Sequence, residues 1–151
     1  MSKSERLKPV VKIALQREQR AAQALAQAQR QMLERAARLS ELRAYRSEYQ
    51  SQFSALNQSP RAALRVTDFH AFLQRLDQLI QEQERLHHAS KTDFEFKKKA
   101  WLVLRGKTQA LDKAIDRFRK DENQSDARRD QRESDDRVHS PKAVEIDSDG
   151  D

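Results

Sequence analysis

Apolar residues in the first third of the chain recur alternately three and four positions apart, which is the spacing of a coiled-coil helix. One frame runs from residue 7 to residue 56, and 12 of its 15 a and d positions are apolar. Seven heptads in one frame favour a long helix that shares a narrow apolar seam with another helix. The seam positions are Leu7, Val11, Ala14, Glu18, Ala21, Leu25, Ala28, Met32, Arg35, Leu39, Leu42, Arg46, Tyr49, Phe53 and Leu56.

A second run with the same spacing extends from residue 69 to residue 118, and 10 of its 15 positions are apolar. Between the two runs, Asn57, Ser59 and Pro60 are residues that favour turns. A short loop between two long helices makes them antiparallel neighbours. The second set of seam positions is Phe69, Leu73, Leu76, Ile80, Gln83, His87, Ser90, Phe94, Lys97, Trp101, Leu104, Thr108, Leu111, Ile115 and Phe118.

These patterns predict an all-α fold, a long antiparallel two-helix coiled-coil hairpin with a disordered acidic C-terminal tail. We expect the coiled coil to occupy residues 1–138 and the tail residues 139–151. The first helix is predicted at about 9–56, because Pro9 is tolerated only in a first helical turn. The turn is predicted at about 57–67, the second helix at about 68–120, and a charged helical extension at about 121–138.

Composition excludes most kinds of chemistry. Of the 151 residues, 36% are hydrophobic and 36% are charged, which is too little apolar material for a compact core. There is no cysteine, the two glycines form no phosphate-binding loop, and the four histidines are not grouped as metal ligands. We therefore predict no enzyme, no catalytic, cofactor-binding or metal-binding residues and no cofactor.

Targeting signals and charge narrow the location and the partners. The apolar run "AWLVL" at 100–104 is too short to cross a bilayer, so we expect a soluble cytoplasmic protein without a transmembrane segment. The net charge of +6 divides into +9 for residues 1–138 and −3 for the acidic tail. A basic body with an acidic tip suggests an acidic partner surface, nucleic acid, or simply solubility. Nucleic acid is the less favoured of the two kinds of partner, because acidic residues alternate with the basic ones.

One group of apolar residues lies beside the seam. Tyr45 falls at a g position of the first helix, and Phe72, Leu79 and Leu86 fall at g positions of the second. In an antiparallel pair these positions lie along one side, with Tyr45 roughly level with Leu79 and Phe72 roughly level with Phe53. We interpret the four residues as an exposed strip that binds a partner, since a two-helix protein has no third layer to cover it. The alternative is a broadened seam with half-buried g residues.

Several stretches of residues 6 to about 136 together resemble the flagellar export protein FliJ family, a coiled-coil component of the bacterial flagellar type III export apparatus. They occur in the family's order and spacing, and each is less specific alone. They are "RLKPVVKIALQREQRAAQALAQAQRQM", "LRAYRSEYQ", "DFHAFLQRLDQLI", "AWLVLRGKTQALDKAIDRF" and the charged "RRDQRESDDR".

The resemblance implies a stalk that inserts the end bearing both termini into the ring of the flagellar export ATPase and promotes its assembly and activity. It implies contacts with the ATPase and its regulator, the export gate protein FlhA and export chaperones, at the cytoplasmic face of the inner membrane at the flagellar base. With Leu79 added from the strip, the gate-binding residues implied are Leu42, Tyr45, Tyr49, Phe72, Leu76 and Leu79. The ATPase-ring contacts implied are Arg128, Arg129, Gln131, Arg132, Asp135 and Asp136.

Two other functions remain open from the sequence. One is the equivalent stalk of a virulence-type secretion system. The other is a basic coiled-coil scaffold that binds nucleic acid or acidic proteins, and salt distinguishes it because phosphate-driven binding weakens steeply as salt rises.

Overall fold

A computed structural model describes residues 2–56 and 62–139. It contains two helices, α1 at Lys3–Leu56 and α2 at Ala62–His139, and no strand in the described ranges. The helices pack against each other, which confirms the predicted all-α fold. The predicted disordered tail lies outside the described residues except for residue 139. Of the predicted turn, residues 57–61 lie outside them, and residues 62–67 belong to α2.

The chain divides into two compact units, each of which contains part of both helices. The terminal unit comprises Met1–Leu15 and Lys107–Asp151, and the central unit comprises Gln16–Gly106. In the central unit, Arg43 pairs with Glu84, and Phe53 stacks on Phe69. Later residues of α1 therefore meet earlier residues of α2, as antiparallel helices require.

The heptad frames predict the buried positions well. Every predicted seam position whose side chain is described is buried or half-buried, including the polar interruptions in both helices. The core of the central unit is a cluster of Leu39, Leu76 and Ile80, each at most 7% exposed. In the terminal unit, Ile115 is 7% exposed. A narrow stripe of this kind needs little apolar material, which explains how so polar a chain folds.

Both helices begin earlier than predicted. The first helix starts at Lys3, so Pro9 lies inside it rather than at its start. Proline has no N–H to donate and costs a helix interior about 3 kcal/mol, so other contacts must hold the turn that precedes it. The second helix starts at Ala62, since "AALR" is made of strong helix formers.

The second helix extends well past the predicted seam. It remains helical to His139, and every side chain from 123 to 138 is exposed. Within the described residues, no helical segment is long and apolar enough to cross a membrane.

Candidate interaction surfaces

Five aromatic residues near the end of α1 and the start of α2 form an aromatic cluster. The rings of Phe53 and Phe69 stack with centroids 3.6 Å apart. Tyr49 contacts Phe69 at 5.2 Å and Phe72 at 4.5 Å, and Tyr45 meets Phe72 edge-on at 6.3 Å. Aromatic pairs of this kind stabilise by about 1 kcal/mol beyond the area they bury. The aromatic cluster consists of Tyr45, Tyr49, Phe53, Phe69 and Phe72.

These contacts correct one part of the predicted strip. Phe72 was expected to lie level with Phe53, but its ring contacts Tyr45 and Tyr49, while Phe53 stacks on Phe69. The two helices are therefore offset from the predicted alignment by about one helical turn. The predicted alignment places the start of α2 at about residue 68. It is wrong because α2 starts at Ala62.

The predicted strip is only partly exposed. Tyr45 is 51% exposed and Leu79 is 44% exposed, so both are available to a partner. Phe72 and Leu86 are half-buried, and Phe72 packs against the core of the central unit. The strip therefore combines exposed side chains with a broadened seam, and each of the two interpretations describes half of it.

The structure places the six residues expected to bind the gate in the same part of the central unit, at different depths. Tyr45 and Leu79 are exposed, whereas Leu42, Tyr49 and Phe72 are half-buried. Leu76 is only 5% exposed and belongs to the core. A partner that approaches this surface meets the exposed pair first, and Leu76 supports it from below.

Two ion pairs between the helices border this surface. Arg43 Nη2 lies 3.0 Å from Glu84 Oε1. Arg46, which interrupts the apolar seam, donates hydrogen bonds from Nε and Nη2 to the two carboxylate oxygens of Asp77. The hydrogen bond to Asp77 raises the pKa of the Arg46 guanidinium further, so the charge is permanent. This bidentate pair explains how an arginine occupies a seam position: its stem lies along the seam and its charge is matched at the rim.

In the terminal unit, Glu122 of α2 holds the first turn of α1. Ser4 donates from its Oγ to Glu122 Oε2 at 2.7 Å and from its backbone N–H to Oε1 at 3.1 Å. Ser2 caps the same turn, because its Oγ accepts the N–H of Glu5 at 3.3 Å. The ammonium of Lys3 lies 5.7 Å from the centre of the Phe118 ring. These contacts give acceptors to the backbone N–H groups of Ser4 and Glu5 and hold the helical turn that precedes Pro9.

Sequence reasoning did not identify Ser2, Ser4 or Glu122, although two signals were present. "SKSE" at 2–5 has the Ser-x-x-Glu spacing of a helix start. Four residues after Phe118, the heptad frame falls on Glu122. The tolerance of proline in a first helical turn favours a later start of α1, which conflicts with the signal at Ser2.

Beyond Glu122, α2 has a free charged end, residues 123–138, on which no described residue of α1 packs. At about 1.5 Å per residue these 16 residues span roughly 24 Å. They contain four arginines and five acidic residues. Along this segment the structure gives one side-chain hydrogen bond, from Gln131 to Asp135 at 3.4 Å.

The six residues expected to contact the ATPase ring are all exposed and lie on one side of this free charged end. Because successive residues are about 100° apart around a helix, the six fall within roughly half of its circumference. Arg128, Arg129 and Arg132 of this group line a shallow groove together with Asp121, Gln124 and Ser125. Arg137 lies on the opposite side. The described residues contain no group of three potential metal ligands.

Two packed helices with a partly exposed aromatic cluster and a free charged end define a helical protein whose candidate sites are exposed surfaces. Residues 2–140 match the family model for the flagellar FliJ protein, and the chain belongs to this family. Membership of the family makes it a component of the flagellar export apparatus. No curated protein and no solved structure matches the chain.

Proposed function

We propose that this protein is a non-enzymatic stalk of the flagellar export apparatus, located at the cytoplasmic face of the inner membrane at the flagellar base. Its free charged end inserts into the ring of the export ATPase and promotes assembly and activity of the ring. The aromatic cluster with its neighbours binds the export gate protein FlhA. The regulator of the ATPase and export chaperones are further partners. The match to the flagellar family favours this function over the virulence-type stalk.

The observation that carries the proposal is the free charged end of α2. A helix without an apolar face gains no hydrophobic stabilisation by packing against another helix of its own chain. Its polar groups are satisfied by water or by a partner. Here the helix continues through residue 138 with all side chains exposed after Glu122. Its arginines and carboxylates fit a partner that presents charges of both signs, and a polar surface leaves a ring free to adjust around it.

The gate-binding part of the proposal is supported by the depth of the six residues. Interface hot spots combine a few exposed aromatic or aliphatic anchors with a well-packed base. Tyr45 and Leu79 provide such anchors, at 51% and 44% exposure. Phe72 and Leu42 pack against the core beneath them, so the anchors stand on a rigid support.

The test is ATP hydrolysis by the export ATPase of the same organism, measured with the full chain and with a chain ending at Asn123. Cutting after Asn123 keeps Glu122, so the contacts that hold Ser4 and the first turn of α1 are retained. We expect the full chain to stimulate hydrolysis and the shortened chain to have no effect. Equal stimulation by the two chains would contradict insertion of the charged end.

A pair of arginine variants refines the test. Arg132→Ala removes a charge from the side that carries the six expected contacts, whereas Arg137→Ala removes the same charge from the opposite side. Both side chains are exposed, so neither change is expected to alter folding. We expect Arg132→Ala to weaken stimulation about tenfold at limiting concentration, as for the loss of a charge-assisted hydrogen bond, and Arg137→Ala to retain it. An equal loss in the two variants would indicate attraction by overall charge only.

A further inference from the structure

A second exposed apolar surface lies on α2, on the side away from the seam. We call Phe96, Leu102 and Val103 the outer patch. Their exposed fractions are 72%, 48% and 58%. Phe96 and Val103 are seven residues apart, about two helical turns, so they lie on the same side of the helix. The seam in this stretch is formed by other residues, and the outer patch is not needed to hold α1.

Cationic side chains surround the outer patch. Lys98 and Lys99 lie two and three residues after Phe96, are exposed, and form no ion pair with a described residue. Their neighbour Lys97 differs, since its Nζ lies 3.0 Å from Asp93 Oδ2. Residues 91–106 contain five basic and two acidic residues, a net charge of +3. An unneutralised basic rim around apolar side chains is complementary to a negatively charged surface.

We propose that the outer patch of α2 binds an anionic lipid surface. Helices that lie at a membrane interface combine Phe and Leu, which enter the boundary of headgroups and acyl chains, with Lys and Arg. Phe96 and Val103 enter this boundary, and the stems of Lys98 and Lys99 extend sideways so that their ammonium groups reach headgroup phosphates. This function does not depend on the ATPase or on the gate.

The arrangement fits a lipid surface better than a partner helix. Leu102 and Val103 are consecutive, so they are about 100° apart around the helix, and the apolar side chains cover a broad sector with Lys99 among them. A helical partner uses a narrow a/d stripe, and a lysine buried in that contact requires a carboxylate partner. A lipid surface satisfies each ammonium group with a phosphate. At Gly106 an added Cβ would meet nothing within 4 Å, so the helix surface is open at this position.

One residue works against lipid binding and provides a sharp test. Glu95 is exposed next to Phe96, and its carboxylate is repelled by anionic headgroups. We expect Glu95→Gln to strengthen binding to anionic vesicles about fivefold. Neutralisation of Lys99 by Lys99→Gln is expected to weaken it about fivefold.

The experiment is sedimentation of the full chain with vesicles of phosphatidylglycerol and phosphatidylcholine, compared with vesicles of phosphatidylcholine alone. We expect binding to the anionic vesicles only, and about tenfold weaker binding for Phe96→Ser, which loses the most exposed of the three apolar side chains. Leu33→Ser is the matched control, because Leu33 is an exposed apolar residue of α1, at 57%. It is expected to leave binding unchanged.

Insertion of position 96 can be observed directly. Trp101 is the only tryptophan in the chain, so Trp101→Phe gives a background without tryptophan fluorescence. In that background, Phe96→Trp is expected to shift to shorter wavelength with anionic vesicles and to be quenched by brominated lipid, whereas Leu33→Trp is not.

Three results would overturn the proposal: equal binding to neutral vesicles, binding that Phe96→Ser leaves unchanged, or a tryptophan at position 96 that is not quenched. Stimulation of the ATPase by Phe96→Ser is expected to be normal. A failure of lipid binding is thereby distinguished from a failure of the stalk function.

Discussion

The carboxylate of Glu122 accepts both the side-chain and the backbone hydrogen bond of Ser4, at 2.7 and 3.1 Å, although the two residues are 118 positions apart in the chain. Ser4 is only 4% exposed. A carboxylate at this place supplies an acceptor for a backbone N–H that the helix cannot satisfy, and it opposes the positive end of the helix dipole. The contact therefore joins the start of α1 to α2 within the terminal unit.

This contact makes the stability of the terminal unit depend on pH. The hydrogen bonds from Ser4 lower the pKa of Glu122 from its ordinary value of 4.5. A carboxylate whose pKa is lower in the folded state stabilises that state above its unfolded pKa. The contribution is lost as the pH falls through the lower, folded value. We expect Glu122→Gln to reduce the melting temperature at pH 7 and to flatten its decline below pH 4.5.

Glu133→Gln is the matched control for this prediction. Glu133 lies on the same helix in the free charged end and is exposed, so its replacement is expected to preserve the melting temperature at neutral pH. Thermal unfolding followed by circular dichroism between pH 3 and 7 measures both variants. Superimposable pH profiles for Glu122→Gln and the natural chain would show that the Ser4 contact contributes nothing to stability.

The position of Pro9 inside α1 gives a second prediction. Proline at this position removes the hydrogen bond to the carbonyl of Glu5. Pro9→Ala restores it, and because Pro9 is exposed the change creates no cavity. We expect the free energy of unfolding to rise by up to about 3 kcal/mol. Lys8→Ala, an exposed substitution one residue earlier, is expected to change it by less than about 0.5 kcal/mol.

The same measurement decides between two starts of α1. If the helix began near residue 9, as the sequence pattern predicted, Pro9 would occupy a first-turn position in which a proline costs nothing. Pro9→Ala would then leave the urea midpoint unchanged or lower it. A clear increase supports the start at Lys3.

The seam was predictable because it depends on a period that local sequence carries. Polar positions such as Gln83 and Arg46 fall on the seam as buried or half-buried residues, as their place in the heptad frame requires. The alignment of the two helices was not predictable, because it depends on where α2 begins, and the residues before Phe69 gave conflicting turn and helix signals. The contact of Phe72 with Tyr45, instead of Phe53, follows from that start.

The candidate surfaces were predictable to different degrees, because some depend on the local heptad period and others on the alignment of the two helices. The exposed residues of the free charged end follow from the end of the apolar seam at Phe118. The ion pair of Arg46 with Asp77 and the contact of Ser4 with Glu122 required the alignment of the two helices. The burial of Leu76 follows directly from its seam position.

Gln83 gives a third prediction, since it is a buried polar residue of the seam. It is 9% exposed, and its Oε1 has no hydrogen-bond donor among the described residues. A buried polar atom without a partner costs about 1–3 kcal/mol. We expect Gln83→Leu to raise the free energy of unfolding by about 1–2 kcal/mol in urea titrations. Gln81→Leu, at an exposed position of the same helix, is expected to have little effect on stability.

A decrease in stability for Gln83→Leu would change the interpretation of this residue. It would show that the amide is paired in solution and that it contributes to the alignment of the helices, as single polar residues do in other coiled coils. Sedimentation equilibrium on the same variant tests alignment directly, because loss of a register-specifying residue permits association of further copies.

The last prediction separates binding from stability in the aromatic cluster. Tyr45 is 51% exposed, and among the described aromatic rings it contacts only Phe72, so Tyr45→Ala is expected to cost less than about 1 kcal/mol of stability. Phe69 is 6% exposed and stacks on Phe53, so Phe69→Ala is expected to cost about 3–5 kcal/mol of stability.

If the aromatic cluster binds the export gate, Tyr45→Ala weakens the affinity for the cytoplasmic part of FlhA about tenfold or more while the fold stays intact. Isothermal titration calorimetry at low and moderate salt measures this loss, with Leu33→Ala as the exposed control in α1. A Tyr45→Ala protein that binds as tightly as the natural chain would exclude this surface from the gate contact. Tight binding that disappears at moderate salt for every variant would point to attraction by the basic body instead, because apolar contacts persist as salt rises.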